Sequence, residues 1–144
     1  MQPQFDSTDS EPDFESAETI LVVDDHECLC EVAARILQMH GYRVLTATSG
    51  EEAIRIASEN RPIDLLFTDL EMPGMRGDEL ADCFQLAHPD TAVMFTSGSP
   101  EELRSLDSRH FVEKPYICLQ AMVKKVREVL NDRKTCRRSE AVAA

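Results

Sequence analysis

Near its start the chain reads ILVVDD over residues 20–25, an apolar run that ends in two carboxylates. Two later apolar runs also end in charged residues, IDLLFTD at residues 63–69 in Asp69 and FVEK at residues 111–114 in Glu113 and Lys114. Runs of this length and composition are typical of strands buried on both faces of a parallel sheet. Ligands of an open α/β sheet bind outside the carboxyl ends of the strands. The pattern therefore places Asp24, Asp25, Asp69 and Lys114 around one crevice.

Three carboxylates and one ammonium group at one crevice indicate a particular chemistry. Neighbouring carboxylates repel one another unless a cation lies between them, and an oxygen-rich carboxylate site favours Mg²⁺. An aspartate beside Mg²⁺ and a lysine is suited to accept a phosphoryl group, because both cations offset the charge of the transferred group. The residues alone thus predict a magnesium-dependent phosphoryl acceptor.

Strand-like and helical segments alternate along the chain. The predicted strands are residues 19–23, 43–46, 63–68, 92–95 and 110–113. The predicted helices are residues 26–39, a second one capped by Ser49 and Glu52, residues 78–87, one within residues 97–109, and residues 117–130. The apolar stripes of the first and last helices would be Leu29, Val32, Ala33, Ile36 and Leu37, and Leu119, Met122, Val123, Val126, Val129 and Leu130. Five βα units predict an α/β fold with a doubly wound five-stranded parallel sheet.

Composition and charge exclude several classes of function. The formal net charge of −12 argues against duplex DNA as a partner, because phosphate contacts need clustered Lys and Arg. Residues 1–18 hold six acidic residues and no basic residue, and we expect a disordered acidic leader there, a domain at residues 19–130 and a flexible basic tail at residues 131–144. The leader is unlike a secretion signal, and no apolar run reaches the length of a membrane span. Five scattered cysteines fit reduced thiols in the cytoplasm.

Four motifs, taken together, resemble the receiver domain of two-component response regulators. They are VVDD at residues 22–25, TDLEMPGMRG at 68–77, TSG at 96–98 and EKP at 113–115, and the resemblance extends over about residues 18–130. It implies a flavodoxin-like fold with strand order 2-1-3-4-5. It also implies that a histidine kinase, or a histidine phosphotransfer protein, donates a phosphoryl group to Asp69. Such a domain is a signalling phosphoacceptor rather than an enzyme, although it assists its own phosphorylation and dephosphorylation.

The resemblance assigns a role to each matching residue. Asp69 would be the nucleophile that attacks phosphohistidine. Asp25 would bind Mg²⁺ directly, Asp24 would act through water or by shaping the site, and the backbone carbonyl of Glu71 would be a further metal ligand. Lys114 would pair with the acceptor and then with a phosphoryl oxygen.

The hydroxyl that would hold the phosphoryl group is either Ser97 or Thr96. In the family this residue precedes a small residue, and Ser97 precedes Gly98, so we favour Ser97. Adjacent side chains of a strand point to opposite faces, so only one of the two can face the site. The resemblance also couples this hydroxyl to an aromatic residue, here Phe111, which could equally be a phenylalanine with no switching role.

One segment departs from the family pattern. The stretch between Ser97 and Lys114 is several residues shorter than usual, and only about residues 100–106 are left for the fourth helix. Because a parallel crossover needs about a dozen residues, we expect this helix to be short or poorly ordered. The functions that the family places on the surface formed by this helix and the fifth strand and helix are therefore not carried over to this chain.

Three functions are compatible with these features. The first is a single-domain response regulator, similar to the chemotaxis regulators, whose output is contact with an unknown downstream protein. The second is the receiver module of a hybrid histidine kinase, although Met1 and the acidic leader favour a free-standing chain. The third is a pseudo-receiver that binds partners without phosphorylation, against which the intact acidic set and Lys114 argue. A phosphatase of the DxD type is disfavoured, since Asp69 is followed by Leu70 and Glu71.

Overall fold

The computed structural model describes residues 17–59, 62–98, 110–113 and 119–143, with backbone only for 110–113, 119 and 133–143. The elements in chain order are β1 (Thr19–Val23), α1 (Glu27–Met39), β2 (Arg43–Ala47), α2 (Gly50–Glu59), β3 (Leu65–Asp69), α3 (Gly77–Ala87), β4 (Ala92–Ser97), β5 (His110–Glu113) and α4 (Leu119–Ala143). The predicted fourth helix falls in residues 99–109, outside the described residues, so α4 here is the fifth predicted helix.

All five strands are parallel and lie in the order β2-β1-β3-β4-β5. This confirms the predicted α/β fold, the doubly wound sheet and the strand order. The strand register keeps the carboxyl ends level, because Val23 lies beside Thr68, Asp69 beside Thr96, and Ser97 beside Glu113. Residues that follow these strands therefore meet at one edge of the sheet.

Two hydrophobic cores cover the two faces of the sheet. Leu21 and Val23 of β1 face one core together with α2 and α3, and Ile20 and Val22 face the other together with α1 and α4. Both faces of the sheet are buried. Successive strand residues point to opposite faces, and the residues on both faces are apolar, as in other parallel sheets. The central strands β1 and β3 consist entirely of buried residues, so they hold the residues at their ends firmly in place.

The predicted cap of α2 is present with one change of partner. The backbone N–H of Glu52 donates to Ser49 Oγ at 3.1 Å, as expected for an N-cap. The Glu52 carboxylate accepts from the Thr48 backbone N–H at 2.7 Å rather than from Ser49. This hydrogen bond lowers the pKa of Glu52 and fixes the turn between β2 and α2.

Several predicted details differ from the structure. Strands β3 and β4 extend to Asp69 and Ser97, so the acceptor candidate and the candidate hydroxyl are strand residues rather than loop residues. Val32, which was predicted to lie on the buried stripe of α1, is 44% exposed, and the buried face includes Cys30 and Ala34, which the prediction left out. Helix α4 continues to Ala143 instead of ending at Leu130, because residues 131–143 contain neither Gly nor Pro and are rich in good helix formers.

The predictions for the two ends of the chain are tested only in part. Residues 1–16, most of the predicted acidic leader, lie outside the described residues. Glu18, its last residue, is partly buried and accepts a hydrogen bond from Arg127 Nη1 at 3.2 Å. The domain limits at residues 19 and 130 stay predictions. Among the described residues there is no helix with the length and hydrophobicity that crossing a bilayer requires.

Arg127 of α4 contacts both Glu18, which directly precedes β1, and Tyr42, which directly precedes β2. The Arg127 guanidinium lies 5.0 Å above the centre of the Tyr42 ring while it also binds Glu18. Tyr42 is buried in the core between the sheet and α4. Burial raises the pKa of Tyr42 above its usual 10.0, because the phenolate would lose hydration.

We predict that Tyr42 makes the protein sensitive to alkali. Since its pKa is higher in the folded chain, its contribution to stability is complete below about pH 10 and is lost as the pH rises through the folded pKa. Tyr42→Phe keeps the ring and removes the ionisable group. Between about pH 9 and pH 11, the free energy of unfolding in urea should fall more steeply for the wild type than for Tyr42→Phe. Parallel curves for the two proteins would contradict the prediction.

Candidate functional site

Three carboxylates converge at the carboxyl edge of the sheet. Asp24 and Asp25 follow β1, and Asp69 is the last residue of the neighbouring strand β3. One oxygen of each carboxylate and one ring nitrogen of His26 all lie within 4.8 Å of one another. Asp24 and Asp69 are buried, at 1% and 2% exposure, whereas Asp25 is partly exposed. Two of the three carboxylates therefore lie inside the protein, and the third lies partly at its surface.

The loop between β1 and α1 holds two of these carboxylates. Asp24 N–H donates to the Ala47 carbonyl at 3.1 Å, which continues the pairing of β1 with β2. Asp24 Oδ1 accepts the His26 backbone N–H at 2.9 Å. The His26 ring nitrogen Nδ1 lies 3.3 Å from Asp24 Oδ1 and 3.4 Å from Asp25 Oδ1. These contacts bring both carboxylates to His26, the N-cap residue of α1.

The three carboxylates fit a magnesium ion. Asp25 Oδ1 is buried and accepts no hydrogen bond from the described residues, although it faces the His26 ring. A buried carboxylate oxygen in that state is costly unless a cation binds it. Oxygen donors from carboxylates are the ligands Mg²⁺ takes, and a partly open pocket leaves room for the waters that it retains. When bound, the ion would be held by Asp25 and Asp69, with Asp24 beside them.

The loop between β3 and α3 wraps the end of the acceptor strand. Glu71 N–H donates to Asp69 Oδ1 at 3.2 Å, and Gly77 N–H donates to the Leu70 carbonyl at 3.1 Å. A Cβ added to Gly77 would overlap the Asp69 backbone carbonyl oxygen and approach Leu70 Cα at 3.0 Å. Gly77 is thus required for the start of α3 to pack directly on the backbone of Asp69. The position of the Glu71 carbonyl as a metal ligand stays a prediction.

The two candidate hydroxyls differ in their contacts. Ser97 is fully buried, and its Oγ donates to Glu71 Oε1 at 3.1 Å. Thr96 is also buried, and its Oγ1 has no hydrogen-bond partner among the described residues. Adjacent residues of β4 point to opposite faces, so only Ser97 extends toward the loop that follows Asp69. Ser97 is the hydroxyl that is linked to the acidic site.

The sequence predictions are met in part. Asp24, Asp25 and Asp69 come together as expected, and Glu71 lies beside them. Lys114 lies outside the described residues, and only the backbone of Phe111 is described. The sequence analysis gave no role to His26, which the structure places beside the three carboxylates. Its position directly after Asp25 was the available signal, since the loop that carries Asp24 and Asp25 had to continue through it.

Comparisons with known proteins agree with this geometry. A family model described as response regulator receiver domain matches residues 20–127. The sensor kinase CckA of Brucella abortus is 34% identical over 124 residues, which cover 82% of this chain and 13% of that protein. The transcriptional regulatory protein YvrH of Bacillus subtilis is 30% identical over 104 residues, covering 68% of this chain and 43% of that protein. The chain spans less than half the length of these curated relatives.

Solved structures are similar over most of the chain. The receiver domain of a hybrid histidine kinase CckA is 38% identical, with a TM-score of 0.67, and covers 78% of this chain and 98% of that one. The chemotaxis protein CheY4 of Vibrio cholerae is 26% identical, with a TM-score of 0.71, and covers 79% of this chain and 99% of that one. The fold is thus shared with proteins of known structure.

We predict that Gly77→Ala destabilises the protein although Ala is the better helix former. Helix propensity alone would favour Ala by about 1 kcal/mol. The overlap with the Asp69 carbonyl should outweigh this gain and lower the free energy of unfolding by roughly 1–3 kcal/mol. Urea unfolding measures the change, and Gly98→Ala is the matched control, since a Cβ there meets nothing within 4 Å. A Gly77→Ala protein as stable as the control would show that the loop can move away.

Proposed function

Because the chain belongs to the response regulator receiver domain family, we propose that it accepts a phosphoryl group on Asp69 in a two-component phosphorelay. The donor would be the phosphohistidine of a histidine kinase or of a histidine phosphotransfer protein. The observation that supports this most is the convergence of Asp24, Asp25 and Asp69 at the carboxyl edge of the sheet. Buried carboxylates in this arrangement suit phosphoryl transfer with Mg²⁺.

The proposed reaction is a displacement at phosphorus. A carboxylate oxygen of Asp69 attacks the phosphorus atom, the bond from phosphorus to the histidine nitrogen breaks, and the departing imidazole takes up a proton. Mg²⁺, when held by Asp25 and Asp69, would supply positive charge that offsets the negative charge of the phosphoryl oxygens. The Glu71 N–H, 3.2 Å from Asp69 Oδ1, orients the nucleophile. Strand β3 holds Asp69 at a fixed place, which is most of what phosphoryl transfer asks of a protein.

Two further residues would act on the transferred group. We assign Lys114 to an ion pair with a phosphoryl oxygen, which is supported by the pairing of Glu113, the residue before it in the sequence, with Ser97 at the carboxyl ends of β5 and β4. We assign the hydrogen bond from a hydroxyl to Ser97 rather than to Thr96, because Ser97 contacts the loop after Asp69. Phe111 pairs with Phe95 in the sheet, and its switching role stays a prediction.

Output would occur through contact with a downstream protein. Membership of a hybrid histidine kinase is an alternative that the similarity to CckA raises, although the similarity to a regulator such as YvrH is of comparable extent. A pseudo-receiver is the other alternative, and a failure to accept phosphate would favour it. The expected absence of nucleic-acid and membrane partners, and the cytoplasmic location, stay predictions.

We predict that acetyl phosphate with Mg²⁺ adds one phosphoryl group to the wild-type chain and none to Asp69→Asn. The amide cannot act as the nucleophile, and the adduct should be cleaved by hydroxylamine, as expected of an acyl phosphate. Intact-mass spectrometry measures both. Asp90→Asn is the matched control, because Asp90 is an exposed residue in the turn before β4, at the other end of the sheet. An adduct that persists in Asp69→Asn would refute the acceptor assignment.

We also predict that Asp25→Asn weakens Mg²⁺ binding at least about tenfold, which corresponds to roughly 1.4 kcal/mol. The substitution removes the charge of a carboxylate whose Oδ1 is buried at the pocket. Isothermal titration calorimetry gives the dissociation constant, with Asp90→Asn again as the control. Equal Mg²⁺ affinity in the wild type and Asp25→Asn would remove Asp25 from the metal site.

A further inference from the structure

One residue contacts both the acceptor Asp69 and the candidate hydroxyl, the first through its backbone and the second through its side chain. The Glu71 backbone N–H donates to Asp69 Oδ1 at 3.2 Å, and the Glu71 carboxylate accepts from Ser97 Oγ at 3.1 Å. Ser97 is fully buried, whereas Glu71 is exposed. The carboxylate therefore reaches from the surface to a hydroxyl inside the protein.

We propose that Glu71 is a positioning residue that holds the Ser97 hydroxyl in the unphosphorylated chain and thereby opposes phosphorylation of Asp69. The inference rests on the proposed function and adds to it a competitor within the chain. A serine hydroxyl has one proton to donate. The Glu71 carboxylate and a phosphoryl oxygen on Asp69 cannot both receive it, so the Ser97–Glu71 hydrogen bond has to break when the phosphoryl group is bound.

Charge adds to this competition. A phosphoryl group on Asp69 carries between one and two negative charges and replaces the single charge of the free carboxylate beside Glu71. Like charges at this distance repel, so the carboxylate is driven away from the place where it meets Ser97. Because Glu71 is exposed, it can turn into water without leaving a buried charge behind. The structure thus provides two arrangements of one hydroxyl, with Glu71 favouring the first and the phosphoryl group the second.

Loss of the Ser97–Glu71 hydrogen bond would affect the end of strand β4 as well as the metal site. Ser97 is the last residue of β4 and pairs with Glu113 of β5, next to the segment that carries Lys114. When Ser97 leaves Glu71 and turns toward the phosphoryl group, the end of β4 would therefore move with it. Occupancy of Asp69 and the position of Ser97 should influence each other by the same factor, since coupling between two equilibria is reciprocal.

The test uses beryllofluoride with Mg²⁺, a stable analogue of the phosphoryl group on aspartate. Its dissociation constant is measured by fluorine NMR for the full chain, Glu71→Ala, Ser97→Ala and the double variant. Glu71→Ala should bind the analogue at least about fivefold more tightly than the wild type. In the Ser97→Ala background the same substitution should improve binding by a clearly smaller factor, because only the charge effect remains.

Two further variants separate the hydrogen bond from the charge. Glu71→Gln keeps an oxygen that can accept from Ser97 and removes the charge, so its affinity should lie between those of the wild type and Glu71→Ala. Glu51→Ala removes an exposed carboxylate from the first turn of α2, beside Gly74, and should leave affinity nearly unchanged. An equal gain from Glu71→Ala in both backgrounds, no gain, or weaker binding would overturn the proposal.

A second measurement needs no phosphoryl analogue. A double-mutant cycle of Glu71→Ala and Ser97→Ala, scored by urea unfolding of the free protein, should show a coupling between the two side chains. Zero coupling would overturn this inference while phosphorylation of Asp69 still stood. Coupling in a chain that accepts neither acetyl phosphate nor beryllofluoride would instead refute the proposed function and with it the regulatory role of the contact.

Discussion

The repulsion among three carboxylates at one edge of the sheet is the constraint around which this molecule is built. Asp24, Asp25 and Asp69 would separate if the chain allowed it, since buried charges of one sign are costly without a cation. They are kept together because each is attached to the end of a central strand whose residues are all buried. The packing of the two cores thus offsets the repulsion among these carboxylates, which a bound divalent cation would relieve.

Strand pairing and loop packing leave the three carboxylates little freedom to move. Strands β1 and β3 are neighbours, with Val23 beside Thr68, so their ends cannot shift relative to each other without breaking the ladder. Gly77 lets α3 begin directly on the Asp69 backbone, and Met75 packs the intervening loop against Gly50 of α2. A nucleophile for phosphoryl transfer needs position more than activation, and this packing supplies it.

Glu71 extends the site beyond the acceptor itself. Its backbone orients Asp69 while its side chain receives the Ser97 hydroxyl, so one residue links the end of β3 to the end of β4. A change of charge on Asp69 is therefore transmitted first to a hydrogen bond and then to a strand end. The coupling involves only Asp69, Glu71 and Ser97, so single substitutions can test each step.

The sequence by itself determined the strands, their order through the family resemblance, and the convergence of Asp24, Asp25 and Asp69, because apolar runs ending in carboxylates place those groups at one sheet edge whatever the helices do. Strand alternation could not choose between Thr96 and Ser97, since it says that one of them faces the site but not which one, and only the family resemblance favoured Ser97. The sequence also misplaced Val32 and the end of α4, because a helical stripe several residues wide does not state its exact rotation and helix length depends on neighbours that the pattern does not contain. Only the tertiary structure brought His26 to the pocket and the Glu71 carboxylate to Ser97, since these contacts join side chains from loops and strand ends, whose directions are set by packing rather than by local preference.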